Sequence, residues 1–360
     1  MNNVLFVTPV PSDRGGIGVW IKEIVNNKNL FNGFNIFNVY TFEYKNVGTK
    51  HSFFDRFVRN FVDIKRVKKE IIRFIKNNKI DIIHISVTGD FSLFRDYKIL
   101  KLATKHNIKT IMHLHFGKLP KMMGKNNLKF KLFKKCYKLA SSVWCLDKNS
   151  FEVCNLIGLK KNYVVPNFIN TKEFFIEKNK KNSICFIGWV VKTKGVEELL
   201  KAWSKLNKEF PNLKLEMIGP YELSYKEYLE KNFDTKNVVI LGRLEHNEVL
   251  NRLKTNKLFV LPSYSEGFPN VILEAMSFGI PTISTNVGCV SEMLSNECGL
   301  IGEPKDSNFI YSSIKHLLLD SNDYSKISEN CYKKVRREYD LHKVIDLYCK
   351  LWRGLINEKQ

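Results

Sequence analysis

The sequence predicts an α/β protein made of two Rossmann-like, doubly wound domains. Three observations carry that expectation. Short apolar runs alternate with longer amphipathic ones, the pattern of parallel strands joined by helical crossovers. The alternation breaks near Val165-Pro166-Asn167 and the polar stretch from Asn170 to Asn182, then starts afresh. The chain has 360 residues, too many for one ordinary core and suited to two. The expected division is 1–165, 166–345, and a C-terminal helix over 346–360 that is free to pack back on the first domain.

The elements follow in order. Val4–Thr8 reads as a strand, and Gly15–Val25 as a loop opening into a helix. Asn35–Tyr40 is a second strand and Phe53–Asn77 a long amphipathic helix; Ile80–Ile85, Thr110–Leu114 and Ser142–Leu146 are further buried strands. In the second series Ser183–Ile187, Leu213–Ile218, Val238–Leu241, Leu258–Leu261 and Thr282–Thr285 read as strands. Gly195–Leu206 and Asn270–Phe278 read as helices, the latter stopped by Gly279 and Pro281, and the tail from Tyr324 is helical by composition.

Composition narrows the function classes. A hydrophobic content of 44% with 12% aromatic residues supplies real cores and argues against a disordered chain. No run of 18 apolar residues occurs, which disfavours a membrane-spanning helix. Val4-Leu5-Phe6-Val7 follows Met1 almost at once, without a signal peptide's basic segment and cleavage site. The eight cysteines form no C-x-x-C pair and several lie in apolar runs, which fits reduced, buried thiols in a cytosolic chain. The net charge of +22 calls for an anionic partner, although part of the lysine and asparagine usage also fits a plain coding bias. The charge is uneven: from Lys101 to Leu146 there is no acidic residue, and Lys118, Lys121, Lys125, Lys129, Lys131, Lys134, Lys135 and Lys138 crowd together.

The most informative segment is Leu258–Glu274. A buried strand ends at Pro262, the polar turn Ser263-Tyr264-Ser265-Glu266-Gly267 follows, and Pro269 suits the start of a helix. The unpaired N–H groups of such a helix end face the crevice where open α/β sheets bind phosphorylated ligands. Gly267 allows a ligand close approach, and two carboxylates, Glu266 and Glu274, can each accept hydroxyl hydrogen bonds from a sugar and a ribose. The alternative is that Glu266 only complements the helix dipole and Glu274 is a solvated helix residue.

Three further motifs stand at strand ends. Phe186-Ile187-Gly188-Trp189-Val190-Val191-Lys192-Thr193-Lys194-Gly195 is strand, loop and helix start, with a lysine able to neutralise a leaving diphosphate or to be an ordinary surface residue. Thr8-Pro9-Val10-Pro11-Ser12-Asp13-Arg14-Gly15-Gly16-Ile17-Gly18 offers a glycine pair for close approach of a phosphate or acceptor. It lacks the strict G-x-G-x-x-G fingerprint, which disfavours a nicotinamide cofactor. His113-Leu114-His115-Phe116-Gly117 puts two histidines on one strand face, and the readings are core histidines bonded to backbone or, with no cysteine or carboxylate nearby, a metal site that we disfavour.

The run from Ser265 to Pro281 resembles the E-x7-E signature of the large retaining GT-B glycosyltransferase family 4. The resemblance extends over most of the chain: a Gly-Gly loop, a Pro-Asn linker, a Lys-Gly motif and E-x7-E, in family order. It implies the GT-B architecture, two Rossmann-like domains facing across a cleft. It implies that Glu266 holds hydroxyls of the transferred sugar, Glu274 the nucleotide ribose, and the amides of Gly267, Phe268, Pro269 and Asn270 line the sugar and phosphate. By the same resemblance Lys194 meets the diphosphate, Gly16 approaches it, His115 touches the sugar, and the backbone at Arg243 and Leu244 lines the base pocket. Glu266, His115 and Lys194 are the implied catalytic residues. Trp189 stands where the family has an arginine, with Lys192 a possible substitute. In Val287-Gly288-Cys289-Val290-Ser291-Glu292, Cys289 replaces the second glycine of a family turn.

The expected activity is transfer of a sugar, with retention, from a nucleotide-sugar to a saccharide or polyprenyl-linked acceptor in cell-surface polysaccharide synthesis. UDP is the favoured nucleotide because it is common in the family, and no metal or other cofactor is expected. Phe53, Phe54, Phe57 and Phe61 beside Arg56, Arg59, Lys65 and Arg66, and Leu128, Phe130, Leu132 and Phe133 among lysines, suggest an anionic membrane surface as partner and a peripheral position on its cytoplasmic face. Helices with their apolar stripes in the core are the alternative. No nucleic-acid-binding signature is present. Two rival functions remain: a sugar-nucleotide epimerase of the same fold, and a non-catalytic basic membrane-binding protein.

Overall fold

A computed structural model describes residues 1–12, 15–41, 53–89, 92–117, 119–123, 127–158 and 161–357, with backbone alone over 53–62. The chain divides into two compact units, Met1–Asn167 with His342–Gln360, and Phe168–Leu341. The sequence placed these boundaries at 165/166 and 345/346.

The first unit runs β1 (Asn2–Thr8), α1 (Gly15–Asn26), β2 (Phe34–Tyr40), α2 (Phe53–Asn77), β3 (Ile82–Val87), α3 (Ser92–Lys105), β4 (Lys109–Leu114), α4 (Leu119–Met122), α5 (Leu128–Leu139), β5 (Ser142–Cys145), α6 (Lys148–Ile157) and β6 (Asn162–Val164). The strands pair in parallel in the order β2-β1-β3-β4-β5-β6. A parallel sheet covered on both faces reads as nearly unbroken apolar sequence, and β3 is buried at all six positions. Its alternation still matters. Ile83, Ile85 and Val87 join the aliphatic core under α3 and α5, whereas His84 lies on the other face, stacked on Phe6 at 4.5 Å.

The second unit runs β7 (Ser183–Ile187), α7 (Val196–Glu209), β8 (Lys214–Ile218), α8 (Leu223–Asn232), β9 (Val238–Gly242), α9 (His246–Leu253), β10 (Leu258–Leu261), α10 (Asn270–Ser277), β11 (Thr282–Thr285), α11 (Val290–Met293), β12 (Gly299–Gly302), α12 (Ser307–Leu319) and α13 (Ser321–Glu338). Its sheet is also parallel, in the order β12-β11-β10-β7-β8-β9. The chain builds β7, β8 and β9 outward in one direction, then returns to add β10 beside β7. At that reversal the connections leaving β7 and β10 depart to opposite sides of the sheet and leave a crevice at the strands' carboxyl ends.

The helical tail is two helices. α13 ends at Tyr339-Asp340 and α14 (Leu341–Asn357) follows. The break is pinned from within the second unit: Ile169 and Leu341 exchange backbone bonds with Tyr339 and Ile169 at 2.9 Å each, and Thr171 Oγ1 donates to Asp340 at 2.5 Å. α14, expected from 346, packs on the first unit. Trp352 is fully buried, with ring centroids 5.4 Å from Phe31, 5.1 Å from Phe34 and 5.8 Å from Phe6. Among the described residues no helix is long and apolar enough to cross a membrane.

Candidate active site

The switch point of the second sheet brings together two loops 70 residues apart in sequence. The loop after β7 is closed by Gly195, whose φ is +72° and whose Cβ, if present, would stand 1.9 Å from the Pro262 carbonyl oxygen. Only glycine fits there, so the start of α7 lies directly against the end of β10. The Tyr264 N–H donates to the Thr193 carbonyl at 2.9 Å, joining the two loops through their backbones. Tyr264 also donates its phenol to Glu198 Oε2 at 2.7 Å, and Thr285 Oγ1 donates to the Ser263 carbonyl at 2.5 Å. The Ser263–Gly267 turn is thus held from α7 on one side and β11 on the other.

This bracing sets the charged groups. Lys194 Nζ lies 2.6 Å from Glu266 Oε1, and Ser263 Oγ donates to the same oxygen at 2.6 Å. Glu266 is the less exposed partner, 11% against 26% for the lysine side chain. Lys192, the other cation of this loop, is engaged by Glu197 at 3.4 Å and stays mostly exposed. Trp189 is 42% exposed, whereas the other four tryptophans are buried.

α10 begins just beyond. Pro269 occupies the N-cap rather than the first helical position expected, in an extended conformation with no side-chain cap. A cap residue without a side-chain oxygen leaves the first N–H groups of the helix without that partner. Cys289, which replaces the second glycine of the family turn, sits where no glycine is needed: its φ is −94° and its N–H donates to the Gly267 carbonyl at 3.1 Å. The left-handed position is Gly288, where a Cβ would come within 2.5 Å of that same carbonyl. Phe268 is half-buried and meets Tyr339 edge-on at 6.0 Å.

Glu274, five residues into α10 counting from Asn270, is buried rather than solvated. Its Oε1 lies 2.9 Å from His246 Nε2 at the start of α9. The sequence reading missed His246, Ser263, Tyr264 and Glu198. Only the tertiary approach of α9 to α10, and of α7 to the turn, reveals them. Arg243 is exposed and Leu244 half-buried in the loop between β9 and α9.

Gly16 and His115 belong to the first unit. Gly16 is the exposed second residue of α1, while Asp13 and Arg14 lie outside the described residues. His115 follows β4 and donates its N–H to Val87 at 2.8 Å. Its ring packs 4.3 Å from both Trp20 and His113, and among the described residues neither ring nitrogen has a hydrogen-bond partner. His113 Nε2 faces the Val165 carbonyl at 3.3 Å and His84 Nε2 faces His113 Nδ1 at 3.3 Å. Burial lowers the pKa of all three, that of His113 from 6.5 to about 3, and proximity to His113 pushes His84 and His115 down further. These are neutral imidazoles in an aromatic core.

Fold and site together define a doubly wound protein whose second unit presents a lysine, two glutamates and a helix N-terminus at the sheet's switch point. Residues 168–334 match the family model described as glycosyl transferases group 1. The second unit is therefore similar to the group 1 glycosyl transferases, and the chain is a glycosyltransferase of the GT-B fold. It is 25% identical over 300 residues to an uncharacterised glycosyltransferase of Haemophilus influenzae, covering 82% of this chain and 81% of that one. It is 30% identical over 161 residues to a capsular polysaccharide biosynthesis glycosyltransferase, CapM, of Staphylococcus aureus, covering 43% of this chain and 42% of the relative. Among solved structures it is similar to Anabaena HepE in complex with UDP-glucose, with a TM-score of 0.72 at 14% identity over 98% of this chain and 99% of that one.

Proposed function

We propose that the protein transfers a sugar from a UDP-sugar to a saccharide or lipid-linked saccharide in cell-surface polysaccharide synthesis, with retention at the anomeric carbon. The carrying observation is the Lys194–Glu266 pair at the switch point, directly before the N-terminus of α10. Glu266 Oε1 is committed to Lys194 and Ser263, whereas Oε2 makes no hydrogen bond among the described residues. That oxygen is suited to accept sugar hydroxyls, while Lys194 and the backbone N–H groups of Gly267, Phe268 and Asn270 meet the diphosphate.

The chemistry asks little covalent work of the protein. As the anomeric C–O bond to the diphosphate breaks, negative charge grows on the leaving oxygen. Lys194 is set to stabilise it. On the retaining reading, the acceptor hydroxyl attacks from the face the diphosphate leaves, and its proton passes to the departing diphosphate oxygen. No carboxylate nucleophile is needed. The step is proposed to run without an essential metal, and undiminished turnover after chelation is the expected result. UDP as nucleotide is supported by the HepE complex, and the polysaccharide role by the CapM relative.

A peripheral position on the cytoplasmic membrane face is supported by charge. α3 and α5 pack side by side. They expose Lys98, Lys101, Lys105, Lys131, Lys134, Lys135 and Lys138, with Phe94, Met123 and Leu128 exposed near their N-termini. The apolar contribution expected from Phe130 and Phe133 is corrected: both are buried in the first core. Lys118, Lys125 and the side chains of Phe53, Phe54, Arg56, Phe57, Arg59 and Phe61 lie outside the described residues.

The test is a turnover screen over UDP-, GDP- and ADP-sugars with polyprenyl-linked acceptors, for wild type and Glu266→Ala. Transfer from a UDP-sugar that Glu266→Ala lowers by about 10²–10³ is expected. An altered free sugar nucleotide without transfer would instead establish the epimerase reading.

A further inference from the structure

We infer that His246 is a positioning residue that sets the nucleotide specificity of the site by orienting Glu274 toward the ribose hydroxyls. The inference rests on the proposed role of Glu274 and adds a residue to it. His246 opens α9, directly after the loop Gly242-Arg243-Leu244-Glu245 that leaves β9. Its Nε2 lies 2.9 Å from Glu274 Oε1, a contact between groups 28 residues apart. Both side chains are largely covered, the imidazole 27% and the carboxylate 11% exposed.

The geometry gives this bond two consequences. A carboxylate on a helix turns about its last torsion, which is broad and roughly two-fold. The imidazole N–H fixes that rotation from outside the helix. His246 is the one polar partner of Glu274 among the described residues, so nothing else sets its plane. A carboxylate has about four lone-pair directions, and His246 takes one. The remaining ones suffice for a vicinal diol.

The second consequence is a link. The β9–α9 loop carries Arg243 and Leu244, and its own start is fixed by the Gly219 N–H donating to the Gly242 carbonyl at 2.8 Å. His246 joins the far end of this loop to α10. A nucleotide whose base lies on the loop and whose ribose lies on Glu274 thus meets two elements held at one spacing. An imidazole can also donate without carrying charge, leaving the carboxylate's negative charge to strengthen the ribose bonds. A lysine there would compete with them.

The experiment measures binding of UDP and of 2′,3′-dideoxy-UDP, by calorimetry, to wild type, His246→Ala and His246→Gln, with donor KM and kcat alongside. Wild type is expected to bind the dideoxy analogue about tenfold more weakly than UDP, the size of one charge-assisted hydrogen bond. His246→Ala is expected to lose about five- to tenfold in UDP affinity and in KM, with dideoxy-UDP affinity and kcat within about twofold of wild type. His246→Gln, whose amide can donate over a similar reach, is expected to restore most of the discrimination. Equal losses for both nucleotides in His246→Ala, or full discrimination retained without the imidazole, would overturn the inference. A wild type that binds UDP but ignores the ribose hydroxyls would overturn it too, while leaving sugar transfer standing. A wild type that binds no nucleotide would bring down both.

Discussion

The two glutamates of the E-x7-E segment are held in unlike ways. Glu266 sits in a turn and meets a cation, Lys194, with Ser263 bonded to the same oxygen. Glu274 sits inside a helix and meets an imidazole, His246, which can donate without charge. At the first position the partner has its own ligand, a diphosphate on the proposed reading. The pair therefore comes apart or rearranges when donor binds. At the second position the partner only orients. The lesson is that two residues of one motif can be tuned separately by partners that are remote in sequence.

The largest expected effects come from dividing the first pair. Lys194→Ala should lower kcat/KM by about 10²–10³, the usual size for one preorganised group on a developing anion. Glu266→Ala should lower turnover by a similar factor yet bind UDP as tightly as wild type or more so, because Lys194 is released from its carboxylate. Weaker UDP binding in Glu266→Ala, seen by calorimetry, would break the comparison at this end.

Next comes the backbone that makes the pair. Gly195→Ala drives a methyl to within 1.9 Å of the Pro262 carbonyl at a φ of +72°. A loss of roughly 3 kcal/mol or more is expected, since the clash is with main chain and adds to left-handed strain. Denaturant unfolding reads it. Full stability in that variant would show that the two loops are not tied as described.

A smaller effect belongs to the first unit, where three buried histidines pack among aromatic rings. His113 has its pKa lowered by burial from 6.5 to about 3. The unfolded chain binds a proton near the upper value that the folded chain does not take until the lower one. Stability is thus fully present above the upper value and falls as pH drops through this window, by up to about 1.4 kcal/mol per pH unit for one such group. Melting temperature measured from pH 7 to pH 4.5 should decline, and less steeply in His113→Gln. Equal slopes would exclude His113 as a source.

The smallest expected change concerns the basic face. Charge reversal of Lys131, Lys134 and Lys138 to glutamate should weaken binding to anionic vesicles, at about 1 kcal/mol per cation near the surface, and leave UDP affinity untouched. Unchanged, salt-insensitive vesicle binding would remove the face from the account.

Much of the fold was legible because strands buried on both faces announce themselves. Phe53–Asn77, Ser183–Ile187, Leu258–Leu261 and Thr282–Thr285 were read with their observed bounds. β12, a Gly-Leu-Ile-Gly strand, was not read, because four residues flanked by glycine carry almost no periodicity. The last helix was expected from 346 rather than 341, because composition cannot see the bonds from Ile169 and Thr171 that stop α13. At the site, Lys194, Glu266 and Glu274 stood out because each follows a strand in a recognisable run. Their partners did not. Lys194 and Glu266 are 72 residues apart, and that they meet follows from strand order, which no local pattern encodes. His246 opens an unremarkable polar helix, and its meaning comes only from the approach of α9 to α10.

The most direct test of the central claim is calorimetric titration of wild type, Glu266→Ala and Glu274→Ala with UDP and with the UDP-sugar that is turned over. The account predicts a crossing: Glu266→Ala loses the advantage of the sugar nucleotide over UDP but keeps UDP, while Glu274→Ala weakens both by about the same factor. Retention of the sugar advantage in Glu266→Ala, or undiminished UDP binding in Glu274→Ala, would contradict the division of the donor between the two glutamates.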